Sequence, residues 1–199
     1  MILNGSLVSN RILEYLLKDS KTTRSTFAPP PIKAIMTATE SEFFRSVFDR
    51  QAQTRRRFRE LLHSMSEAQR ITILPGMNNH PLWNYGHALV TFYLLTYGRC
   101  NQELPIVTEV LETYRKGSSP VAGNTDGALE TLMAIDEQTE ALFLSDYQNG
   151  KLHSYAFYET SFGIALHNLQ DALQFNLLHE SLHLGYAMAQ RRILQANPH

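Results

Sequence analysis

Four long segments with helical periodicity constrain the fold of this chain more than any other feature of its sequence. Apolar residues recur every three or four positions, with proline- or glycine-rich turns between the segments, over residues 41–65, 82–97, 125–147 and 168–195. A short helix is expected within residues 105–116, whereas the aromatic stretch 152–162 is predicted as a loop because its alternation is too brief for a strand. The sequence therefore predicts an all-α fold, an antiparallel four-helix bundle.

The beginning of the chain differs from the rest. Residues 7–18 have near-helical apolar spacing, and a polar stretch follows that ends in Pro29-Pro30-Pro31, through which a helix cannot continue. The segment Thr37-Ala38-Thr39-Glu40 has the composition of a helix cap. We therefore predict an N-terminal extension and linker over residues 1–36 and a helical domain over residues 37–199.

Charge and cysteine content exclude several classes of function. The 199 residues include 18 basic and 19 acidic ones, so a net charge of −1 provides no field that attracts nucleic acid or a membrane surface. The run Arg55-Arg56-Arg57 points in three directions around a helix and is interpreted as a solvated face. No window approaches the roughly 18–20 apolar residues of a membrane span. Because the start of the chain lacks the features of a secretory signal and Cys100 is the single cysteine, we expect a cytoplasmic protein with a structural thiol.

Three of the eight histidines form a pattern that suits a metal ion. His179 and His183 are four positions apart, so a helix places both imidazoles on one face. His87 lies in a segment so apolar that its imidazole needs a partner or a wet pocket. Three imidazoles from two facing helices leave a coordination position open, as in catalytic metal sites, and Gly86 and Gly185 could let the two backbones approach. The alternative is an ordinary half-buried pair and a hydrogen-bonded core histidine.

The segment from His179 to His183 also matches the H-E-x-x-H pattern of zinc peptidases, in which the glutamate is the general base. Such enzymes take a third ligand well downstream, where only the chain-terminal His199 is available here. Glu180 projects about 100° around the helix from His179, which suits a base but equally a carboxylate behind the ligands. The peptidase is therefore kept as a minor alternative.

Several short motifs, taken together and in order, resemble the DinB/YfiT-like superfamily of helical bundles over most of residues 40–194. They are Trp83-x-x-Gly86-His87, Lys116-Gly117-Ser118-Ser119-Pro120, Ser161-Phe162-Gly163, His179-Glu180-x-x-His183-x-Gly185 and Arg191-Arg192. The resemblance implies a four-helix bundle that holds one metal ion, often nickel or zinc, on three histidines matching His87, His179 and His183. It also implies a homodimer, and relatives that include thiol-dependent transferases and isomerases using mycothiol, bacillithiol or glutathione.

Two functions follow as hypotheses. The first is a metal-dependent enzyme, a thiol-dependent S-transferase or isomerase, in which zinc, nickel or iron presents a small thiol to an electrophile. The second is a noncatalytic, metal-binding dimeric bundle. Trp83, Asn84 and Tyr186 lie within about a turn of the predicted ligands, but core packing is the more common role of aromatic residues at such positions. We expect a small-molecule substrate and neither nucleic acid nor membrane as a partner.

Overall fold

The computed structural model describes residues 36–120 and 127–196. The four bundle helices are α1 (Ala38–His63), α3 (Pro81–Leu95), α5 (Ala128–Gln148) and α6 (Leu169–Ala196). The shorter elements are α2 (Glu67–Ile71), a 3₁₀ turn (Gly98–Cys100), α4 (Thr108–Tyr114), β1 (Tyr158–Glu159) and β2 (Ala165–Leu166). The all-α fold is thus confirmed, whereas the predicted N-terminal extension lies, except for Met36, outside the described residues.

The first bundle helix begins at the cap that the sequence predicts. The hydroxyl of Thr37 accepts a hydrogen bond from the backbone N–H of Glu40, while the Glu40 carboxylate accepts one from the N–H of Thr37. This reciprocal pair satisfies two of the backbone donors that a helix leaves unpaired at its start. It fixes the entry of the chain into the bundle.

Helix directions follow from which ends meet. The ring of Phe58, near the end of α1, contacts Tyr85 near the start of α3, with 5.3 Å between centroids. Tyr147, near the end of α5, donates a hydrogen bond of 2.6 Å to Glu40 at the start of α1. Helix α1 therefore runs antiparallel to both α3 and α5.

The second and third bundle helices, in contrast, run parallel. Tyr85 of α3 donates a hydrogen bond to Asp136, and the later Tyr93 pairs with the later Thr139 of α5. The predicted antiparallel arrangement thus describes α1 with α3 and α1 with α5, but not α3 with α5. The reason lies in the connection after α3: residues 96–120 contain α4, and the ring of Tyr114 at the end of α4 lies against Gly86 near the start of α3, so the chain has already returned to that end.

Helix α3 occupies the centre of the bundle. All of its residues except Thr91 and Leu94 are buried, which explains why its sequence is apolar nearly all round. The core includes a cluster of aromatic rings, several of them in edge-to-face contact, a geometry that adds to the benefit of burial. The cluster contains Phe44, Phe48, Phe92, Tyr93 and Phe143. None of the helices in the described part of the chain combines the length and apolarity that crossing a membrane requires.

The basic run on α1 was predicted as a solvated face, and for Arg55 this is wrong. Only 3% of Arg55 is exposed, and its guanidinium pairs with Asp136 at 3.0 Å and with Glu180 at 2.7 Å. Arg56 and Arg57 do lie at the surface. Consecutive helical positions face different directions, so one of the three necessarily points into the bundle, where two acidic side chains receive it.

The aromatic stretch predicted as a loop contains a small antiparallel hairpin. Tyr158 pairs with Leu166 and Glu159 with Ala165. At its tip, the N–H of Ile164 donates to the hydroxyl of Thr160. Of the aromatic residues in this stretch only Tyr158 lies in a strand, and the second strand, β2, follows the stretch. Two residues per strand are too few for the sequence pattern to show the hairpin.

Candidate metal centre

The structure brings together the three histidines that the sequence predicts as ligands. His87 of α3 faces His179 and His183 of α6, and the ring centroids are 4.5–5.2 Å apart. One ring nitrogen from each residue lies within 4.8 Å of the others. The antiparallel packing of α3 on α6 places the single histidine opposite the i, i+4 pair, so the three side chains converge between the helices.

Hydrogen bonds fix the orientation of two of the rings. Nδ1 of His87 donates to the carbonyl oxygen of Tyr114 at 2.7 Å, and Nδ1 of His183 donates to Oδ1 of Asn84 at 2.8 Å. Because each of these acceptors requires a proton on Nδ1, the neutral ring carries its lone pair on Nε2. Asn84 is itself held by Gln190, whose Oε1 accepts from Nδ2 at 2.9 Å.

The third ring, His179, has a buried nitrogen without a partner. Its Nδ1 makes no hydrogen bond within the described residues, although only 8% of the residue is exposed. A buried imidazole nitrogen left in this state is costly unless something binds it. This orphaned atom beside two oriented rings fits a bound metal ion.

All three rings are held in the form that binds a metal. Burial, followed by the neighbouring His183 and His87, lowers the pKa of His179 to about 3. Burial and His87 lower the pKa of His183 to about 4, and burial also lowers the pKa of His87. At neutral pH the site is therefore a set of three uncharged nitrogen donors, which suits a divalent transition metal.

The two glycines beside the ligands do not act as the sequence suggests. A Cβ on Gly86 would lie 2.4 Å from the ring of Tyr114. The absence of a side chain here therefore allows α4, rather than α6, to pack closely against α3. Gly185 has nothing within 4 Å of its Cβ position. The consequence for the site is indirect: by letting Tyr114 pack against α3, Gly86 brings the Tyr114 carbonyl to His87.

A cavity of about 570 Å³ opens beside the histidines. One wall is apolar and comes from α3, α6 and the hairpin, and two basic side chains, Arg99 and Lys116, also line it. Trp83, Asn84 and Tyr186 are not among its lining residues. Trp83 instead stacks on His87, with 4.6 Å between centroids and 9° between planes, so its role is packing.

Glu180 does not point to the ligands as a peptidase base would require. It is 1% exposed, and its carboxylate accepts hydrogen bonds from Gln51, Arg55 and Asn176. These three partners occupy the acceptor positions of the carboxylate on the side of α1 and within α6, where it serves as a structural partner. His199, the only downstream candidate for a third peptidase ligand, lies outside the described residues.

The histidines and the cavity beside them define a class of protein: a four-helix bundle with a three-histidine centre between its second and fourth bundle helices. Residues 51–187 match the DinB superfamily, and the chain belongs to this family. A search of curated proteins finds none that matches the chain.

Several residues of the site have only a weak signal in the sequence, or none. Gln190, fully buried, stands seven positions after His183 and hence on the same face of α6, a spacing that could have indicated it. Arg99, Lys116 and the hairpin residues reach the cavity through irregular connections. No periodicity places such residues, so the sequence did not reveal them.

Proposed function

We propose that the protein is a metal-dependent enzyme that uses a small thiol as co-substrate, an S-transferase or isomerase. The observation that supports this proposal is the convergence of three neutral imidazoles at the side of a cavity large enough for a small molecule. His87, His179 and His183 would hold zinc or nickel, with iron as a further candidate. When bound, the ion supplies an open coordination position at which a thiol loses its proton more readily.

The residues of the chain have distinct roles in this scheme. Tyr114 and Asn84 hold two of the histidines in the tautomer that leaves Nε2 available. The apolar wall of the cavity borders the histidines and would hold the non-polar part of a substrate beside them. Cys100 cannot serve as the nucleophile, because it is 1% exposed and burial raises the pKa of its thiol to about 11. The reacting thiol must therefore enter as a separate molecule.

Metal content is the first test. Protein purified without a polyhistidine tag should contain near-stoichiometric metal, whereas His179→Ala/His183→Ala should contain none and remain helical by circular dichroism. The matched control is His63→Ala/His167→Ala, which removes two exposed histidines and should keep the metal. Wild-type protein that stays metal-free after incubation with zinc or nickel would rule out the proposal.

Turnover is the second test. Metal-loaded protein is incubated with glutathione or cysteine and 1-chloro-2,4-dinitrobenzene, so that a carbon–sulfur bond forms, chloride leaves and the thiol proton passes to solvent. Loss of turnover in the metal-free double variant, but not in the control variant, is expected. Turnover that is independent of metal content would contradict the role assigned to the ion.

A specific observation favours the second candidate function, a noncatalytic dimeric bundle. The outer face of α6 exposes Leu178, Leu182 and Tyr186 by 40–48%, within one stripe of the helix. A two-fold axis would bring this stripe onto its own copy. Multi-angle light scattering should then show a dimer that Leu178→Glu converts to a monomer, while Glu137→Gln, on the exposed side of α5, leaves it intact. Such a dimer without thiol turnover would favour the noncatalytic function.

A further inference from the structure

The cavity beside the histidines contains positive charge and no negative charge. Arg99 and Lys116 line it, and none of its described lining residues is an aspartate or glutamate. Neither basic side chain has a carboxylate within salt-bridge distance in the described part of the chain, unlike the buried Arg55, which has two. A metal ion on three neutral imidazoles would add further positive charge to the same space.

Arg99 is positioned before any ligand arrives. Its guanidinium carbon lies 3.9 Å above the centre of the Tyr158 ring, and its backbone carbonyl accepts a hydrogen bond of 2.7 Å from Ala156. Stacking on an aromatic face leaves the N–H groups at the edge of the guanidinium plane available. The side chain is therefore held without its hydrogen-bonding capacity being consumed.

Lys116 is linked to the histidines through the connection that holds His87. It stands two residues after Tyr114, whose carbonyl accepts the Nδ1 proton of His87. Its side chain lines the same cavity as His87, His179 and His183. A negative group that pairs with Lys116 would consequently lie in the same cavity as the open side of the histidine cluster.

The other residues that line the cavity indicate what the uncharged part of the ligand is like. Leu94, Leu95, Phe162, Phe175 and Leu182 form an apolar surface, and the hydroxyls of Thr91 and Ser161 are its polar neighbours. Ligand sites of this size typically combine a mainly apolar lining with a few polar groups that set orientation. The occupant therefore has an apolar body and one anionic end.

We propose that this cavity selects a small amphipathic carboxylic acid, whose carboxylate pairs with Arg99 and Lys116 while its apolar body lies against the leucine and phenylalanine side chains. The planar fork of an arginine matches a carboxylate in two parallel hydrogen bonds, and the ammonium of Lys116 adds a second attraction to the same negative charge. This inference rests on the proposed function, because it names the class of substrate that the metal centre acts upon.

The test compares two probes that differ only in charge. Binding of 3-phenylpropanoate and of its neutral amide, 3-phenylpropanamide, to zinc-loaded protein is measured by calorimetry at low and high salt. We expect the carboxylate to bind about tenfold more tightly than the amide, because hydrogen bonds between ionised groups are roughly twice as strong as those between neutral groups. High salt should weaken this preference. Equal binding of both probes, or binding of neither, would overturn the proposal.

Variants assign the preference to the two side chains. Arg99→Gln and the exposed Lys116→Gln should each reduce it, whereas Arg56→Gln, on the outer face of α1, should leave it unchanged. A loss of equal size in Arg56→Gln would contradict the assignment. Zinc content measured on the same samples separates the metal-dependent function from the carboxylate preference. A carboxylate preference in protein that binds no metal contradicts the proposed function alone. Bound metal without a carboxylate preference contradicts this inference alone.

Discussion

Replacing Glu180 by glutamine isolates the buried ion network at the centre of the bundle. The carboxylate accepts hydrogen bonds from Nε and Nη2 of Arg55, from Gln51 and from Asn176. A glutamine keeps one acceptor oxygen but turns an amide N–H₂ towards the guanidinium, where a donor then meets a donor. It also removes one of the two negative charges that neutralise Arg55.

The magnitude follows from what remains after the substitution. Breaking a buried pair and leaving the other charge uncompensated costs about 3–5 kcal/mol. Asp136 still pairs with Arg55 at 3.0 Å, so the loss should fall at the lower end, about 3 kcal/mol. For a chain of this size that corresponds to a fall in Tm of about 6–12 °C.

Urea unfolding followed by circular dichroism measures the free energy directly. The matched control, Glu137→Gln, makes the same chemical change at an exposed position of the neighbouring helix α5 and should stay within about 0.5 kcal/mol of wild type. Equal stability of the two variants would refute the argument that Glu180 is a structural partner of Arg55. A normal stability with a loss of thiol turnover would instead assign Glu180 to the chemistry.

Three further predictions concern the surroundings of the histidines. Asn84→Leu removes the acceptor of the His183 Nδ1 proton and should weaken metal binding about 10–100-fold, measured by competition with a chromophoric chelator, whereas Asn84→Asp keeps an acceptor and should lose less. Gly86→Ala should lower the free energy of unfolding in urea by about 1–3 kcal/mol, because the added methyl group meets the Tyr114 ring. Gly185→Ala has open space around its methyl group and should raise the free energy of unfolding by up to about 1 kcal/mol. Equal effects of the two substitutions would contradict the packing described. Burial lowers the pKa of His80 and His183 to about 4 and of His179 to about 3. Between pH 6.5 and pH 4 these histidines are therefore protonated in the unfolded chain but neutral in the folded protein. The metal-free protein should consequently lose stability as the pH falls from 6.5 towards 4. His80→Asn, which retains a capping side chain, should reduce the slope of Tm against pH over that window, and an unchanged slope would exclude His80 as a source of it.

The convergence of the three histidines could be predicted because their geometry is local or nearly so. His179 and His183 share a face by helical spacing alone, and the apolar surroundings of His87 indicate that its imidazole needs a partner. The bundle helices were predicted for the same reason, since apolar periodicity depends on a few consecutive turns. What the sequence could not give are the pairings between distant segments.

Arg55 illustrates that limit. Helical spacing aligns Arg55 with the apolar Phe48 and Leu62, seven positions before and after it. Its partners Asp136 and Glu180, however, lie 81 and 125 positions away, and local periodicity cannot identify them. Gly86 is a similar case: the sequence predicted that it serves close approach, but its neighbour is Tyr114 of α4 rather than α6. The parallel course of α3 and α5 likewise depends on the path of a connection rather than on the helices themselves.

The position of the histidines along the chain has a consequence for folding. Nearly half of the sequence lies between His87 and His179, so an ion bound to both would cross-link the chain and close a long loop. Cross-links of this kind reduce the entropy of the unfolded chain more when the loop they close is longer. Metal binding would then stabilise the docking of the last helix against the second bundle helix, by an amount that increases with the concentration of free metal.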